Sequence, residues 1–183
     1  MFFVRQIRRL GMLLFLLAVT GSCVKDVDIS QSQEITLNPD VQLDLLIFDV
    51  NQDDFIDPQT KALRTVVHDT VRLEFLDDDY VQQDLQQVEL KYKYLNTFSQ
   101  AFYSKVTFLS ENDHIEHVSE FFIGAGSNNN PAETQKTDLI PPSDINSIKR
   151  SIKMAVEIEV QPNNDPFEGE LKFQSKGLFS FQF

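Results

Sequence analysis

Three oxygen-bearing side chains stand at alternate positions in the chain: Asp49, Asn51 and Asp53. Carboxylate and amide oxygens spaced in this way can converge on a hard cation such as Ca²⁺. However, Asp54 stands where a calcium loop needs glycine, and Thr60 stands where it needs a bidentate glutamate. The flanking sequence also predicts strands rather than helices. We therefore predict a solvated acidic turn and no cofactor, with these three residues as weak metal candidates.

His114 and His117 are the other pair with ligand chemistry. On a strand, residues three apart point to opposite faces, so the two rings could share a metal only across a turn. No serine lies in a G-x-S-x-G turn, and neither a Walker A loop nor a G-x-G-x-x-G fingerprint is present. The sequence singles out no catalytic residue, and we expect a protein that is not an enzyme. A pair of catalytic carboxylates among the 28 acidic residues is the least favoured alternative.

Charge is unevenly distributed along the sequence that contains these residues. The chain has 183 residues, 16 of them basic and 28 acidic, with a formal charge of −12. Residues 1–22 hold three arginines and no acid, so 13 basic and 28 acidic groups remain from Cys23 onward, a net charge of −15. Nucleic acid binding needs a basic face, so we expect no nucleic acid partner. A single cysteine also excludes an internal disulfide framework.

The first 22 residues predict a targeting segment. They begin with a positive region that holds three arginines, Arg5, Arg8 and Arg9. An apolar run of ten residues follows at 10–19. A transmembrane helix needs about 20 apolar residues, so this run is typical of a signal peptide instead.

The apolar run leads to Thr20-Gly21-Ser22-Cys23. These small residues before a lone cysteine resemble the lipobox of bacterial lipoproteins. The resemblance implies that the leader is cut between Ser22 and Cys23, that the Cys23 thiol is diacylated, and that the new amine is acylated. Two or three acyl chains hold a protein firmly at a membrane, whereas one does so marginally. The alternative is ordinary secretion, with Cys23 left as a free thiol.

Residues 24–33 lack apolar periodicity and predict a tether after the lipidated Cys23. In lipoproteins of enteric-type bacteria, an aspartate directly after the cysteine retains the protein in the inner membrane. Position 24 is Val, so the resemblance implies the outer membrane. Three further residues resemble the export signals of Bacteroidota-type surface lipoproteins: Lys25, Asp26 and Asp28. We expect a lipid-anchored protein of the outer membrane, on its periplasmic face or at the cell surface.

From residue 34 onward, apolar residues alternate with polar ones at a period of two, which predicts strands. The clearest run places five apolar residues on one face: Ile152, Met154, Val156, Ile158 and Val160. The run 41–50 changes phase near its middle, which predicts a β-bulge or burial on both faces. Clusters of Asn, Asp, Gly and Pro separate the runs.

Seven to nine short strands predict an all-β fold, with one antiparallel immunoglobulin-like β-sandwich over residues 34–183. A strand, Asn96-Thr97-Phe98, a strand to Leu109, a polar turn and Ile123-Gly124-Ala125-Gly126 follow one another in this order. This order resembles the water-stress/LEA-type immunoglobulin-like modules. The resemblance implies a sandwich and carries no function.

Two polar segments are the predicted contact regions, the loops 51–60 and 124–142, because long loops on a sheet scaffold often carry binding residues. A short helix is predicted to follow Pro141-Pro142, with Ser143 as its N-cap. We predict a non-catalytic accessory subunit of a cell-envelope complex, which binds another envelope protein through these loops or an edge strand. The alternative is a glycan-binding surface lipoprotein of a nutrient-uptake system. Its usual aromatic platform, Trp, is absent, and the 16 Phe fall mostly on inward phases.

Overall fold

Eight antiparallel strands make up most of residues 37–183, the part of the chain that the computed structural model describes. The strands are β1 (Asp40–Asn51), β2 (Val66–Arg72), β3 (Leu85–Asn96), β4 (Ala101–Leu109), β5 (Ile115–Ile123), β6 (Ala132–Ile140), β7 (Lys153–Gln161) and β8 (Glu170–Phe181). The helices are short: α1 (Asp79–Asp84), α2 (Ile145–Lys149) and the 3₁₀ turns Gln52–Phe55 and Glu74–Asp77. None of the helices in this part of the chain is long and apolar enough to span a bilayer. The predicted leader, Cys23 and the predicted tether lie outside the described residues.

The strands form two four-stranded sheets, which we call sheet one and sheet two. Sheet one has the order β1-β8-β3-β6, and sheet two has the order β2-β7-β4-β5. The predicted all-β antiparallel sandwich of seven to nine strands is therefore confirmed. The immunoglobulin-like strand order is corrected, because the first two strands of that fold pair in one sheet, whereas β1 and β2 lie in opposite sheets. The observed order is that of a jelly roll. Period-two alternation is shared by all sandwiches and does not encode which strands pair.

The core lies between the two sheets and contains the inward residues that alternation predicts. On β7, Met154, Val156, Ile158 and Val160 are all buried. Most phenylalanines from Phe48 onward are buried as well, and their rings pack at centroid distances of about 5–6 Å. Phe183 differs, because β8 ends at Phe181 and leaves the last ring half exposed.

The phase change in β1 is a β-bulge between Asp44 and Leu46, one of the two predicted explanations. Past the bulge, Leu46, Phe48 and Val50 pair with inward residues of β8. The bulge thus keeps both halves of this edge strand directed at the core.

Three segments differ from their predicted structure. The predicted loop 124–142 contains β6, whose alternate residues are polar and only half buried, so that no apolar pattern marks it. Helix α1 begins within the Asp-rich cluster 76–80, which predicts a turn. Helix α2 follows the two prolines as predicted, but its N-cap is Asp144 rather than Ser143.

The sandwich has two ends, which we call proximal and distal. At the proximal end the chain enters the sandwich, and the Phe181 and Phe183 N–H groups donate to the carbonyls of Pro39 and Leu37. The distal end carries four connections, at 52–65, 97–100, 124–131 and 162–169. The point where the described chain begins is therefore at the opposite end from these loops.

Candidate functional site

Two of the three predicted calcium candidates, Asp49 and Asn51, have side chains that contact neighbouring protein groups. Asn51 Oδ1 accepts the Asp53 backbone N–H at 2.9 Å, and the Asn51 N–H donates to Asp54 Oδ2 at 2.8 Å. This capping box starts the 3₁₀ turn Gln52–Phe55. Asp49 projects from β1 toward Lys172, with 4.0 Å between carboxylate oxygen and Nζ. Within residues 37–183, no three His, Cys, Asp or Glu side chains are grouped as a metal site.

The two histidines of the other predicted pair have separate environments. His114 lies in the turn before β5, where its backbone N–H donates to Ser110 Oγ and its carbonyl accepts the Ser110 N–H. His117 lies on β5, and its side chain is mostly buried beside Asp138. The structure therefore gives them separate roles.

A polar cluster closes the lateral seam between the edge strands β5 and β6, which we call the closed seam. Ser119 of β5 donates its hydroxyl proton to Asp138 Oδ2 of β6. Ser119 Oγ also lies 3.2 Å from the Tyr92 hydroxyl oxygen and 3.3 Å from His117 Nε2. Lys136 Nζ is 3.2 Å from Asp138 Oδ1 and 5.2 Å from the centre of a neighbouring aromatic ring, that of Phe121.

This cluster contains serine, histidine and aspartate, but its geometry is not that of a nucleophilic triad. A triad carboxylate orients histidine from the ring nitrogen that faces away from serine. Here Asp138 bonds to Ser119 directly and lies 3.8 Å from Nε2, the same nitrogen that faces Ser119. Ser119 is also fully buried, so a substrate cannot reach its hydroxyl. The arrangement joins the two sheets and does not activate a nucleophile.

Burial sets the ionisation of the groups in the closed seam. Desolvation lowers the pKa of His117 below its usual value, although the charge of Asp138 acts in the opposite direction. Burial raises the pKa of Tyr92 well above its usual range, and its hydroxyl stays protonated. At neutral pH, the neutral forms of His117 and Tyr92 are therefore the stable forms in this seam.

The opposite lateral seam, between the edge strands β1 and β2, is open. It forms a groove of about 390 Å³ with an apolar floor that includes Phe48, Val156 and Ile158. This volume lies in the range of small-molecule sites. Two of the polar residues at its rim already have partners: Arg64 Nη2 bonds to Asp57 Oδ2 at 2.7 Å, and Asp54 accepts from the Asn51 backbone. His68 and Asp69 also line the groove.

A wider cleft of about 650 Å³ lies at the proximal end. Four of its charges form ion pairs, with Arg72 Nη1 3.0 Å from Glu111 and Arg150 Nη2 2.6 Å from Glu116. The cleft is lined by three basic and three acidic side chains, which leave no net charge to attract a ligand.

The outer face of sheet two carries a pair of exposed aromatic rings. Tyr103 of β4 is 51% exposed, and Phe122 of β5 is 57% exposed. Their centroids are 5.3 Å apart, and the rings are tilted by 58°. Beside them is a depression of about 230 Å³ lined by Tyr103 together with charged residues: Lys105, Glu120, Glu157 and Glu159. We call these six residues the aromatic–acidic patch.

The sequence contained a signal for this patch that alternation alone did not use. Phe121 and Phe122 are adjacent on one strand, and adjacent strand residues point to opposite faces. Because Phe121 is buried, Phe122 must face solvent. The same reasoning applies to Phe102 and Tyr103. Consecutive aromatic residues in a predicted strand therefore mark an exposed ring.

The distal loops are held by a buried asparagine. Asn96 Nδ2 donates to the carbonyls of Gln100 and Gly124, both at 2.8 Å, and Asn96 Oδ1 accepts the Phe98 N–H at 2.8 Å. A Cβ on Gly126 would lie 2.0 Å from the Asn96 carbonyl oxygen, so only glycine fits there. The Asn96–Phe98 and Gly124–Gly126 segments of the sequence are thus neighbours that fix the distal end.

Comparisons with known proteins find similarity of structure only. No family model matches the chain, and no curated protein matches it by sequence. The VP2 subviral particle protein of infectious bursal disease virus matches with a TM-score of 0.41 and 7% identity over 82% of this chain, which spans 33% of that chain. The tailspike protein 4 of bacteriophage CBA120 matches with a TM-score of 0.39 and 12% identity, over 77% of this chain and 19% of that one. Desmodium yellow mottle tymovirus provides a third, with a TM-score of 0.32 and 14% identity, over 80% and 90% of the two chains. These matches carry no function to this chain.

Proposed function

We propose that this chain is a non-catalytic lipoprotein, anchored in the outer membrane by acyl chains on Cys23, that binds another envelope protein through its distal end. One observation carries the proposal. The described chain enters the sandwich at Leu37–Pro39, at the proximal end, and the loops 52–65 and 124–131 lie at the opposite end. An anchor that precedes residue 37 therefore leaves the distal loops free to meet a partner.

The distance to the membrane is compatible with this role. The ten residues 24–33 reach about 33 Å when extended, which is enough to clear lipid headgroups. The charge of −15 from Cys23 onward also disfavours adsorption of the domain onto anionic headgroups.

The edge strands are less suited to a partner than the loops, because each carries a feature that discourages strand addition. β1 has its bulge at Asp44, and β2 directs Asp69 toward the interior side of its sheet, opposite Val156. β5 and β6 direct His117 and Asp138 into the closed seam. We therefore favour loops and sheet faces over edges as the contact region.

The anchor is tested by metabolic labelling with a radioactive or alkynyl fatty acid. Wild-type protein is expected to incorporate label and to sediment with outer membranes, and Cys23→Ala is expected to do neither. Equal labelling of the two proteins would contradict lipidation at Cys23 and favour ordinary secretion.

Partner binding is tested by crosslinking the native lipidated protein in membranes and identifying what co-purifies. A distal variant, Asn128→Ala with Asn129→Ala, changes two exposed residues of the 124–131 loop. A matched variant, Asn112→Ala with Asn146→Ala, changes two exposed residues at the proximal end. We expect the distal variant to lose most of the crosslinked partner and the proximal variant to retain it. Full capture by both variants would count against the distal end.

Glycan binding is the second candidate, and the exposed Tyr103–Phe122 pair is the observation in its favour. Sugar rings pack on flat aromatic surfaces, but a tilt of 58° gives these two rings no common plane. A glycan array probed with the detergent-solubilised lipoprotein separates the two candidates, because selective glycan binding would displace the protein-binding proposal.

A further inference from the structure

The aromatic–acidic patch is built by the register of three strands. Glu159 of β7 lies opposite Tyr103 of β4, which lies opposite Phe122 of β5. In the next outward-facing row, Glu157 lies opposite Lys105, which lies opposite Glu120. Two rows of side chains therefore place the two rings directly beside three carboxylates and one ammonium. The first row lies near the distal end of the sheet, and the second row lies at the middle of β4 and β7.

The charges of this patch have no salt-bridge partners. Among the described residues, no ion pair within 4.0 Å involves Glu120, Glu157, Glu159 or Lys105. Three carboxylates against one ammonium leave the patch net negative. The two rings add exposed apolar surface in the same place, and exposed aromatics rimmed by charge are typical of interaction sites.

The outer face of sheet one differs from the patch, because its basic side chains are all ion-paired. It carries four lysines, and each is paired with a carboxylate of the same face: Lys91 with Glu89, Lys93 with Glu133, Lys172 with Glu170, and Lys176 with Asp44. A second copy of the chain therefore offers no free basic surface on this face to complement the patch. A basic segment of another protein can supply the charge that complements the patch.

We propose that the aromatic–acidic patch docks a basic segment of a partner protein and receives one of its arginine side chains. This inference rests on the proposed role in protein binding and names the surface and the partner chemistry. A guanidinium stacks on the face of Tyr103 while its N–H groups bond to the carboxylates of Glu157 and Glu159. The depression of about 230 Å³ is of the size of one long side chain. Arginine suits the site because it combines a planar surface with several donors.

The test uses the mature lipidated protein in detergent micelles and a fluorescent hexa-arginine peptide, with binding followed by fluorescence polarisation at several salt concentrations. An acidic protein attracts any polycation, so each variant needs a control of equal charge on the other face. Glu157→Gln with Glu159→Gln is matched by Asp44→Asn with Glu133→Gln. Tyr103→Ser with Phe122→Ser is matched by Ile47→Ser with Leu139→Ser, two residues of sheet one that are 55% and 57% exposed.

We expect each patch variant to bind the peptide at least about tenfold more weakly than wild type and each matched control to change less than about twofold. Thermal midpoints measured on all variants check that each is folded. Equal weakening by patch variants and controls would overturn the proposal, because binding would then follow net charge alone. Loss of a glycan signal or of self-association in the patch variants, with peptide binding unchanged, would also overturn it in favour of those ligands.

The same variants separate this inference from the proposed function. If the membrane crosslinking experiment still captures a partner with the patch variants, the protein-binding role stands and the patch is not its surface. If capture fails for wild type while the peptide still discriminates patch from control, the patch stands and the proposed envelope partner does not.

Discussion

The two lateral seams of the sandwich protect their edge strands from pairing with other chains in different ways. Both lie where an edge strand of sheet one faces an edge strand of sheet two. The closed seam between β5 and β6 is joined by the hydrogen-bonded side chains of Ser119, Asp138 and Tyr92. The open seam between β1 and β2 keeps a groove of about 390 Å³ and relies on Asp69 and a β-bulge to discourage strand addition.

The difference between the seams shows what a hydrogen-bonded network and an inward charge each contribute to the sandwich. A buried polar network contributes to stability only when every member has a partner. In residues 37–183, no buried side-chain nitrogen or oxygen lacks one. The closed seam therefore fixes how the sheets meet, and its residues should be sensitive to substitution. The open seam is protected by solvated charge, so substitutions there should affect solubility more than the stability of the fold.

The largest effect is expected from Asp138→Ala. This change removes the carboxylate to which Ser119 donates and which lies nearest to Lys136, and a hydrogen bond to a charged group is worth about 1.5–3 kcal/mol. We expect the free energy of unfolding in urea to fall by that amount. Asp69→Ala in the open seam is the matched control and should change it by less than about 0.5 kcal/mol. Equal losses would remove the distinction between the seams.

Tyr92→Phe should have a smaller effect, because it removes one hydroxyl and keeps the packed ring. The loss of one net hydrogen bond is about 1 kcal/mol. Tyr94→Phe is the natural comparison, since the Tyr94 hydroxyl lies 2.6 Å from Ser104 Oγ in the same core but outside the seam. If the closed seam acts as a network, Tyr92→Phe and Asp138→Ala will be non-additive in a double-mutant cycle. The Tyr94→Phe change should be additive with Asp138→Ala.

The closed seam should also respond to pH. Burial lowers the pKa of His117 in the folded state, so the unfolded chain binds a proton first as the pH falls. Stability is therefore fully present above about pH 6.5 and decreases from there toward the lower pKa of the folded state. The groups that face the ring are Asp138, which favours the imidazolium, and Lys136, which disfavours it.

The measurement is the thermal midpoint between about pH 7.5 and about pH 5.5, an interval that spans the ordinary titration of histidine. Wild type should lose stability over this interval, and His117→Gln should lose less. His68→Gln on the exposed face of β2 should follow wild type. A His117→Gln profile that coincides with wild type would assign the slope to other groups.

Alternation in the sequence was enough to predict the sandwich and its core, because the inward positions of β7 are all apolar. It could not predict strand order, which depends on pairing between distant residues. It also missed β6, because an edge strand that lines a polar seam carries polar residues such as Lys136 and Asp138 on its inward side. His117 was singled out as a possible metal ligand, but its partners Ser119 and Asp138 share no local motif with it. The exposed ring of Phe122 could have been predicted from its buried neighbour.

The smallest change in the free energy of unfolding is expected for Asp69→Val, which we nevertheless expect to cause self-association. Asp69→Val would place a third valine between Val67 and Val71 on the inward side of β2, an edge strand whose free side borders the open groove. Removal of an inward charge from such a strand exposes a template for strand pairing. We expect the free energy of unfolding to change by less than about 0.5 kcal/mol. We also expect sedimentation velocity to show self-association that increases with protein concentration.

The matched control for this last change is Thr70→Val, which adds a similar apolar side chain to the outer face of the same strand and should remain monodisperse. The two variants differ in which face of β2 becomes more apolar, because adjacent strand residues point to opposite sides of the sheet. Self-association of both variants would mean that overall surface hydrophobicity, and not the inward charge of Asp69, keeps the open seam free of other chains. Self-association of Asp69→Val alone would show that one inward carboxylate protects the open seam, as the hydrogen-bonded network protects the closed one.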